Sequence, residues 1–327
     1  MTLSNVLHPN RYHGLTAKPP FFEGWYYKLV SADEKTRFAI IPGVFLSSDS
    51  ADSHCFVQVF DSEAHEVRYH RYPIEAFESS KNAFNVRVGP NIFAADRINL
   101  AIADSLGTLS GELIFDGLNP WPVKLNAPGA MGWFAWVPFM ECYHGVVSMD
   151  HGINGILTLD EEAYDFSGGR GYIEKDWGRR FPLAWIWGQS NHFDTAGVSL
   201  MISVAVIPWL GRSFGGFIIG LLHDSKIHRF ATYNGSKIES LDLLDHEVRL
   251  VVANRSHRLR VTAERTGGGL LQAPTHSAMD RRIIETLNAR MHVVFEDLSG
   301  AVIFEGSGKH AGLETEGDLA KLVDMIR

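Results

Sequence analysis

The chain has 327 residues, 45% of them hydrophobic and 21% charged, with 30 basic and 38 acidic side chains giving a formal charge of −8. One core rarely grows beyond ~250–300 residues, so two sub-domains or one large double sheet are expected. The composition excludes a disordered chain, and the mixed signs with an acidic balance weigh against nucleic acid as a partner.

From the N-terminus, MTLSNVLHPNRYHG lacks the basic and apolar stretches of a secretion signal, so a cytoplasmic setting is expected. FFEGWYYK (21–28) opens a series of short apolar segments, rich in β-branched and aromatic residues and bounded by Gly, Pro, Asp or Asn, which is the pattern of strands and hairpins. Further strands are expected at 38–45, 55–60, 84–88, 97–103 and 108–115. The run from Leu125 to Met140 (LNAPGAMGWFAWVPFM) is uncharged but carries prolines and falls short of the ~20 apolar residues of a membrane-spanning helix. It reads as the roof of a pocket, with peripheral contact to a bilayer as the alternative. A division is placed after it, giving halves 1–153 and 154–327. A further strand at 143–149 ends the first half, and the second continues with strands at 185–191, 198–207, 214–222, 248–254, 258–263, 291–296 and 302–305. Helical periodicity is confined to 279–289 and 318–326. Strands at such intervals predict an all-β chain of two antiparallel barrel or sandwich halves. A carboxylate near a Trp in each half (Glu23 and Trp25; Asp176 and Trp177) hints at an internal duplication.

Several reaction classes drop out. There is no GxGxxG after a strand, no GxxxxGK[ST], no HExxH and no GxSxG, which removes support for nucleotide binding, zinc proteolysis and the common serine hydrolase route. Cys55 and Cys142 form neither a disulfide framework nor a CxxC site, and the 15 histidines lack a ligand spacing, so no metal site is expected.

Two clusters carry chemistry. In FFEGWYYK, strand alternation puts Glu23, Trp25 and Tyr27 on one face, a carboxylate beside two large rings. In GYIEKDWGRRFPLAWIWGQSNHF (171–193), a charged turn leads into an aromatic strand. Glu174 and Asp176 share a face of the first part; Trp185, Trp187, Gln189 and Asn191 share one in the second. Buried amides need partners, which a polar ligand headgroup or neighbouring strands would supply. Acids beside tryptophan suggest protonation of a carbon–carbon double bond and stabilisation of the resulting cation. Desolvation raises a carboxyl pKa toward neutrality, and an aromatic face holds a cation by on the order of 0.5–2 kcal/mol. The competing account is ion pairing of Glu174 and Asp176 with Lys175, Arg179 and Arg180.

At these residues the sequence resembles the tocopherol cyclase family: FFEGWYYK at 21–28, EKDWG at 174–178 with FPLAWIWGQSNHF at 181–193, LLQAPT at 270–275 and AGLETEG at 311–317, in the family's order. Asp176 departs from the asparagine usual in the plant EKNWG, and His192 also departs from the plant pattern. The resemblance implies two lipocalin-like halves, as in a wider group that includes carotenoid hydratases. It implies a redox-neutral ring closure of a prenylated hydroquinone to a chromanol, an intramolecular lyase reaction of vitamin E biosynthesis that needs no cofactor. On this reading Asp176 or Glu174 donates the proton, with Glu23 in reserve. Trp25, Trp177 and Trp187 line the cation path, Trp185 is a further substrate contact, and Tyr27, Gln189, Asn191 and His192 orient the headgroup and take the phenol proton. The alternatives are a lipocalin-like carrier of isoprenoids or other lipids, distinguished by having no desolvated acid, and a hydratase, in which water captures the cation.

Overall fold

The computed structural model describes residues 3–138, 140–209 and 211–326, so Phe139 of the aromatic run lies outside the described residues. The chain is all-β and divides into two compact units, one made of Met1–Phe181 with Gly269–Arg282 and the other of Pro182–Gly268 with Ile283–Arg327.

The first unit is built on a 12-stranded antiparallel sheet. Its order runs Glu66–Pro73, His54–Asp61, Arg37–Leu46, Phe21–Val30, Gly169–Gly178, Cys142–Leu159, Gly107–Asp116, Arg97–Asp104, Asn91–Ala94, Asn85–Val88 and Phe77–Ser79, with Glu162–Asp165 paired to the long Cys142–Leu159 strand. The sheet curls on itself. From the middle of the Phe21–Val30 strand, Tyr27 packs on Phe84, Phe93 and Phe115 and donates its hydroxyl to the Ala94 carbonyl at 2.8 Å. The far strands thus close over the inner face of the near ones, which removes most of the exposed edge. On the opposite face, Phe22, Phe45 and Phe56 pack with Met279, and the amide of Gln272 donates to Gln58 Oε1 at 2.8 Å. The LLQAPT stretch is therefore part of this unit.

In the second unit the order is Lys226–Ala231, Arg212–His223, Ser199–Trp209, Ala184–Ser190, Val302–Glu316, Arg281–Asp297, His257–Glu264, Glu247–Ala253 and Lys237–Leu243, with His192–Phe193 paired to Val302–Glu316. Ile186, Leu200, Ile202, Ile219, Leu221, Val293 and Phe295 fill its core, and the helix Leu319–Ile326 sets Leu322 into it.

Three expectations change. The boundary expected at 153/154 falls within the continuous Cys142–Leu159 strand. Gly152 and Asn154–Gly155 look like a linker but serve a close crossing. Gly155 has φ +132°, and a Cβ there would sit 2.1 Å from the Glu112 carbonyl oxygen. The helix expected at 279–289 is the start of the strand Arg281–Asp297, while the one at 318–326 is present as Leu319–Ile326. Ile283, Ile284 and Leu287 mimic helical spacing, but Ile283, Leu287, Ala289 and Met291 are buried at period two. A buried Glu285 interrupts the apolar series and hides the alternation. Finally, the Glu23 and Asp176 stretches are neighbouring strands of one sheet rather than equivalent pieces of two halves.

Candidate active site

The charged "EKDWG turn" is the strand Gly169–Gly178, fully enclosed in the first unit's sheet. On one side it pairs with Phe21–Val30, setting Glu23 opposite Trp177, Gly24 opposite Asp176, Trp25 opposite Lys175 and Tyr26 opposite Glu174. On the other it pairs with Cys142–Leu159, setting Tyr143 opposite Trp177, His144 opposite Asp176 and Gly145 opposite Lys175. Directly opposed residues share a face. Glu23, Trp25, Tyr27, Lys175 and Trp177 are therefore inside the curl, and Tyr172, Glu174, Asp176 and His144 project from the other side. The two acid clusters read from the sequence do not meet.

On the inner face Glu23 is fully buried and ion-paired with Lys175, also buried. The carboxylate accepts the His13 amide at 2.8 Å, and the Lys175 ammonium donates to the Arg11 carbonyl at 2.6 Å. Burial alone would raise the Glu23 carboxyl pKa, but the Lys175 charge and the hydrogen bonds of His13 and Lys175 hold it below its ordinary value. An acid kept ionised has no proton to give. The indoles of Trp25 and Trp177 lie 4.9 and 4.8 Å from the ammonium, so the cation that these rings hold is Lys175. Trp177 is further sandwiched by His13 (4.2 Å, 5° between planes) and Tyr143 (5.5 Å, 9°), and Trp25 stacks on Phe84 at 5.5 Å. Glu23, Trp25, Tyr27 and Trp177 thus form the packed interior of the first unit, with the Tyr27 hydroxyl taken by Ala94.

The outer face has a different character. Tyr172, Glu174 and Asp176 follow at every second residue, and Tyr172 donates to Glu174 Oε2 at 2.5 Å. The His144 ring stands against both acids, Nδ1 at 3.0 Å from Asp176 Oδ1 and Nε2 at 3.5 Å from Glu174 Oε2. Cys142 Sγ lies 3.9 Å from the same Asp176 oxygen. Side-chain exposure is 6% for Glu174, 11% for His144 and 27% for Asp176, so the row opens toward Asp176. Burial by itself would lower the His144 pKa, but the charges of Glu174 and Asp176 and the hydrogen bond to Asp176 raise it to about 9. Burial and the neighbouring Glu174 push the Tyr172 phenol well above its usual value, keeping it a hydrogen-bond donor. Of the cations offered as competing partners for these acids, Lys175 pairs with Glu23 and Arg180 with Glu141 at 3.4 Å, while Arg179 is exposed.

His144, Glu174 and Asp176 each offer a donor atom within 4.8 Å of the others, and they are the group among the described residues that could hold a metal ion. Nδ1 of the imidazole is within hydrogen-bond distance of Asp176, while Nε2 stands 3.5 Å from Glu174 without a hydrogen bond, so the ring lies between the two carboxylates. His144 and Tyr172 were not singled out in the sequence. Tyr172 was legible, two residues before Glu174 in YIEKDWG; His144 becomes visible only with the pairing register.

In the second unit, Trp185, Trp187 and Gln189 share one face of Ala184–Ser190, as the alternation predicts, and Ile186 on the other face enters the core. All three are buried. The Trp185 indole donates to Glu314 Oε2 at 2.5 Å, and Gln189 Nε2 lies 3.4 Å from Ser199 Oγ. Asn191 Oδ1 is 3.0 Å from His192 Nδ1, and the His192 ring meets His310 edge-on at 5.5 Å.

Residues 117–317 match the family described as Tocopherol cyclase-like. The chain belongs to this family. The match takes in the outer-face row and the tryptophan strand of the second unit, but not FFEGWYYK at 21–28. Relatives include "Probable tocopherol cyclase, chloroplastic" of Oryza sativa subsp. japonica, 29% identical over 153 residues, 45% of this chain and 32% of that one. "Tocopherol cyclase, chloroplastic" of Zea mays is 28% identical over 162 residues, 48% of this chain and 34% of that one. The alignable part thus spans about a third of the length of the plant relatives. Among solved structures, CghA superposes with a TM-score of 0.59 at 12% identity, covering 92% of this chain and 89% of that one. Kievitone hydratase from Nectria haematococca gives 0.51 at 12% identity, covering 96% and 95%. At such identities the likeness is one of fold, a pair of lipocalin-like halves.

Proposed function

We propose that the chain is an enzyme of the cyclase and hydratase type that protonates an isoprenoid double bond, with Asp176 as the proton donor. The observation that carries this reading is the Tyr172–Glu174–His144–Asp176 row: two carboxyl groups bridged by one raised-pKa imidazole, desolvated at one end and partly open at the other. A carrier of the same fold has no use for such a row, because burying acids costs free energy that a passive apolar pocket would avoid.

An alkene is a weak base, so its donor must be a strong acid that can be recharged. The His144 imidazolium holds the row's resting proton and passes it from Nδ1 to Asp176 Oδ1, 3.0 Å away, from which Asp176 delivers it to the alkene. The Asp176 O–H bond breaks, the proton joins the less substituted alkene carbon, and the electron pair of the double bond forms the new C–H bond, leaving a tertiary cation. A phenol oxygen of the same substrate then forms the C–O bond and releases its proton to the row, where Glu174, held by Tyr172 and His144, passes it back toward Asp176. Atoms and electrons balance without an oxidant or reductant: a prenylated hydroquinone becomes a chromanol of the same mass. Within the second unit, Trp187 and Gln189 lie on the strand face turned from that unit's own core, where Glu314 accepts the Trp185 indole and Asn191 contacts His192.

The opening of the row at Asp176 favours one further outcome, capture of the cation by water. Incubation of the purified chain with a panel of prenylated hydroquinones and acyclic isoprenoids separates the readings by product mass and retention. An unchanged mass with a new retention time supports ring closure, and a gain of one water supports hydration. Recovery of every compound unchanged, with tight binding of one, would reduce the protein to a carrier.

A further inference from the structure

Between the strands Gly107–Asp116 and Cys142–Leu159 the chain leaves the sheet of the first unit and forms an excursion of its own. It consists of the hairpin Val123–Lys124 with Ala127–Pro128 and the 3-10 turn Gly132–Trp136. Val123, Leu125, Trp133 and Trp136 are 43, 69, 48 and 38% exposed. This is not the pocket roof expected from the sequence, which would bury its rings. Nor does the excursion dangle. Trp136 Nε1 donates to the Leu125 carbonyl at 3.0 Å, Trp133 stacks on Phe134 at 4.1 Å, and Tyr143 ties the root down by donating to the Val137 carbonyl at 2.8 Å. Met131 and Ala135 are buried beneath the exposed tips. The fold therefore holds apolar side chains in water on a built support.

We propose that this excursion docks the protein on the surface of a phospholipid bilayer. An indole has a large apolar body and one N–H, and tryptophan accordingly concentrates at the headgroup level of membranes, while Leu125 at the tip supplies the inserting group. Charge selects the same occupant. Residues 117–140 contain no acid and one base, Lys124, on a chain whose formal charge is −8. The stretch has no carboxylate of its own to be repelled by a layer of lipid phosphates. A second copy of the chain fits poorly, because four exposed side chains on a narrow turn are far from the roughly 20–30 residues a side that a stable interface uses. The inference is independent of the proposed reaction, since it concerns binding and not turnover.

The test is flotation of the full chain with phosphatidylcholine vesicles, with sedimentation velocity run in parallel. The expected result is a monomer that floats with the vesicles. A double variant, Leu125→Ser with Trp133→Ser, should keep its melting temperature and partition about tenfold more weakly or worse. Leu125→Ser alone, which leaves both indoles in place, should show an intermediate loss. A wild-type chain that stays at the bottom of the gradient overturns the proposal, as do variants that float as well as wild type. A wild-type dimer that the double substitution converts to monomer, without any vesicle binding, assigns the patch to a second copy instead.

Discussion

On the inner face of the Gly169–Gly178 strand, Lys175 closes an ion pair with Glu23 beneath two indoles; one residue to either side, Glu174 and Asp176 point the other way, onto His144. Both faces bury charge, but they bury it differently. The inner pair is complete: one cation, one anion, backbone partners for each, and aromatic walls. The outer row has two acids for one imidazole, so its proton count is free to change. Closed pairs specify structure, while rows with an odd proton are suited to chemistry.

This contrast can be broken or sharpened by substitution. Asp176→Asn should lower turnover of a prenylated hydroquinone by about 10²–10⁴-fold, the usual worth of a positioned general acid, while urea unfolding moves by only about 1–2 kcal/mol. Lys175→Met should do the reverse. It strands the Glu23 carboxylate in the interior and should cost about 3–5 kcal/mol in the same unfolding assay. Adding Glu23→Gln to Lys175→Met should recover roughly 1–4 kcal/mol of that loss, because the orphaned charge goes with it. If the double variant is no more stable than the single one, the inner pair is not the closed structural unit described above.

Two smaller effects follow. The folded-state His144 pKa of about 9 lies above the ordinary 6.5, so the stability it contributes is fully present below pH 6.5 and is lost as pH rises through 9. Wild-type stability should therefore decline across that window by on the order of 1–3 kcal/mol more than that of His144→Asn, as read by unfolding at a series of pH values. In the second unit, Trp185→Phe removes one indole N–H donated to Glu314 and should cost about 1–2 kcal/mol.

Alternation alone made much of this legible. The all-β class, the face shared by Trp185, Trp187 and Gln189, and the common face of Glu174 and Asp176 all follow from a side-chain period of two. What alternation within a strand cannot supply is which strand lies beside which. Register against the Phe21–Val30 strand placed Glu23 opposite Trp177, and so on the face away from Asp176; register against Cys142–Leu159 brought in His144 from a stretch with no motif. The misread segments share a cause, residues that locally signal one structure while long-range pairing imposes another. EKDWG looks like a solvated turn because its burial depends on partners more than 100 positions away in Glu23 and Arg11, and Glu285 breaks the apolar alternation of its strand.

The central claim is that a proton leaves the outer-face row and arrives on a carbon of the substrate. The direct measurement is conversion in heavy water followed by mass spectrometry of the product. Ring closure through Asp176 predicts a chromanol carrying one non-exchangeable deuterium on carbon, formed by wild type and by Trp25→Phe, and absent with Asp176→Asn. A product free of carbon-bound deuterium, or one formed at the wild-type rate by Asp176→Asn, would contradict it.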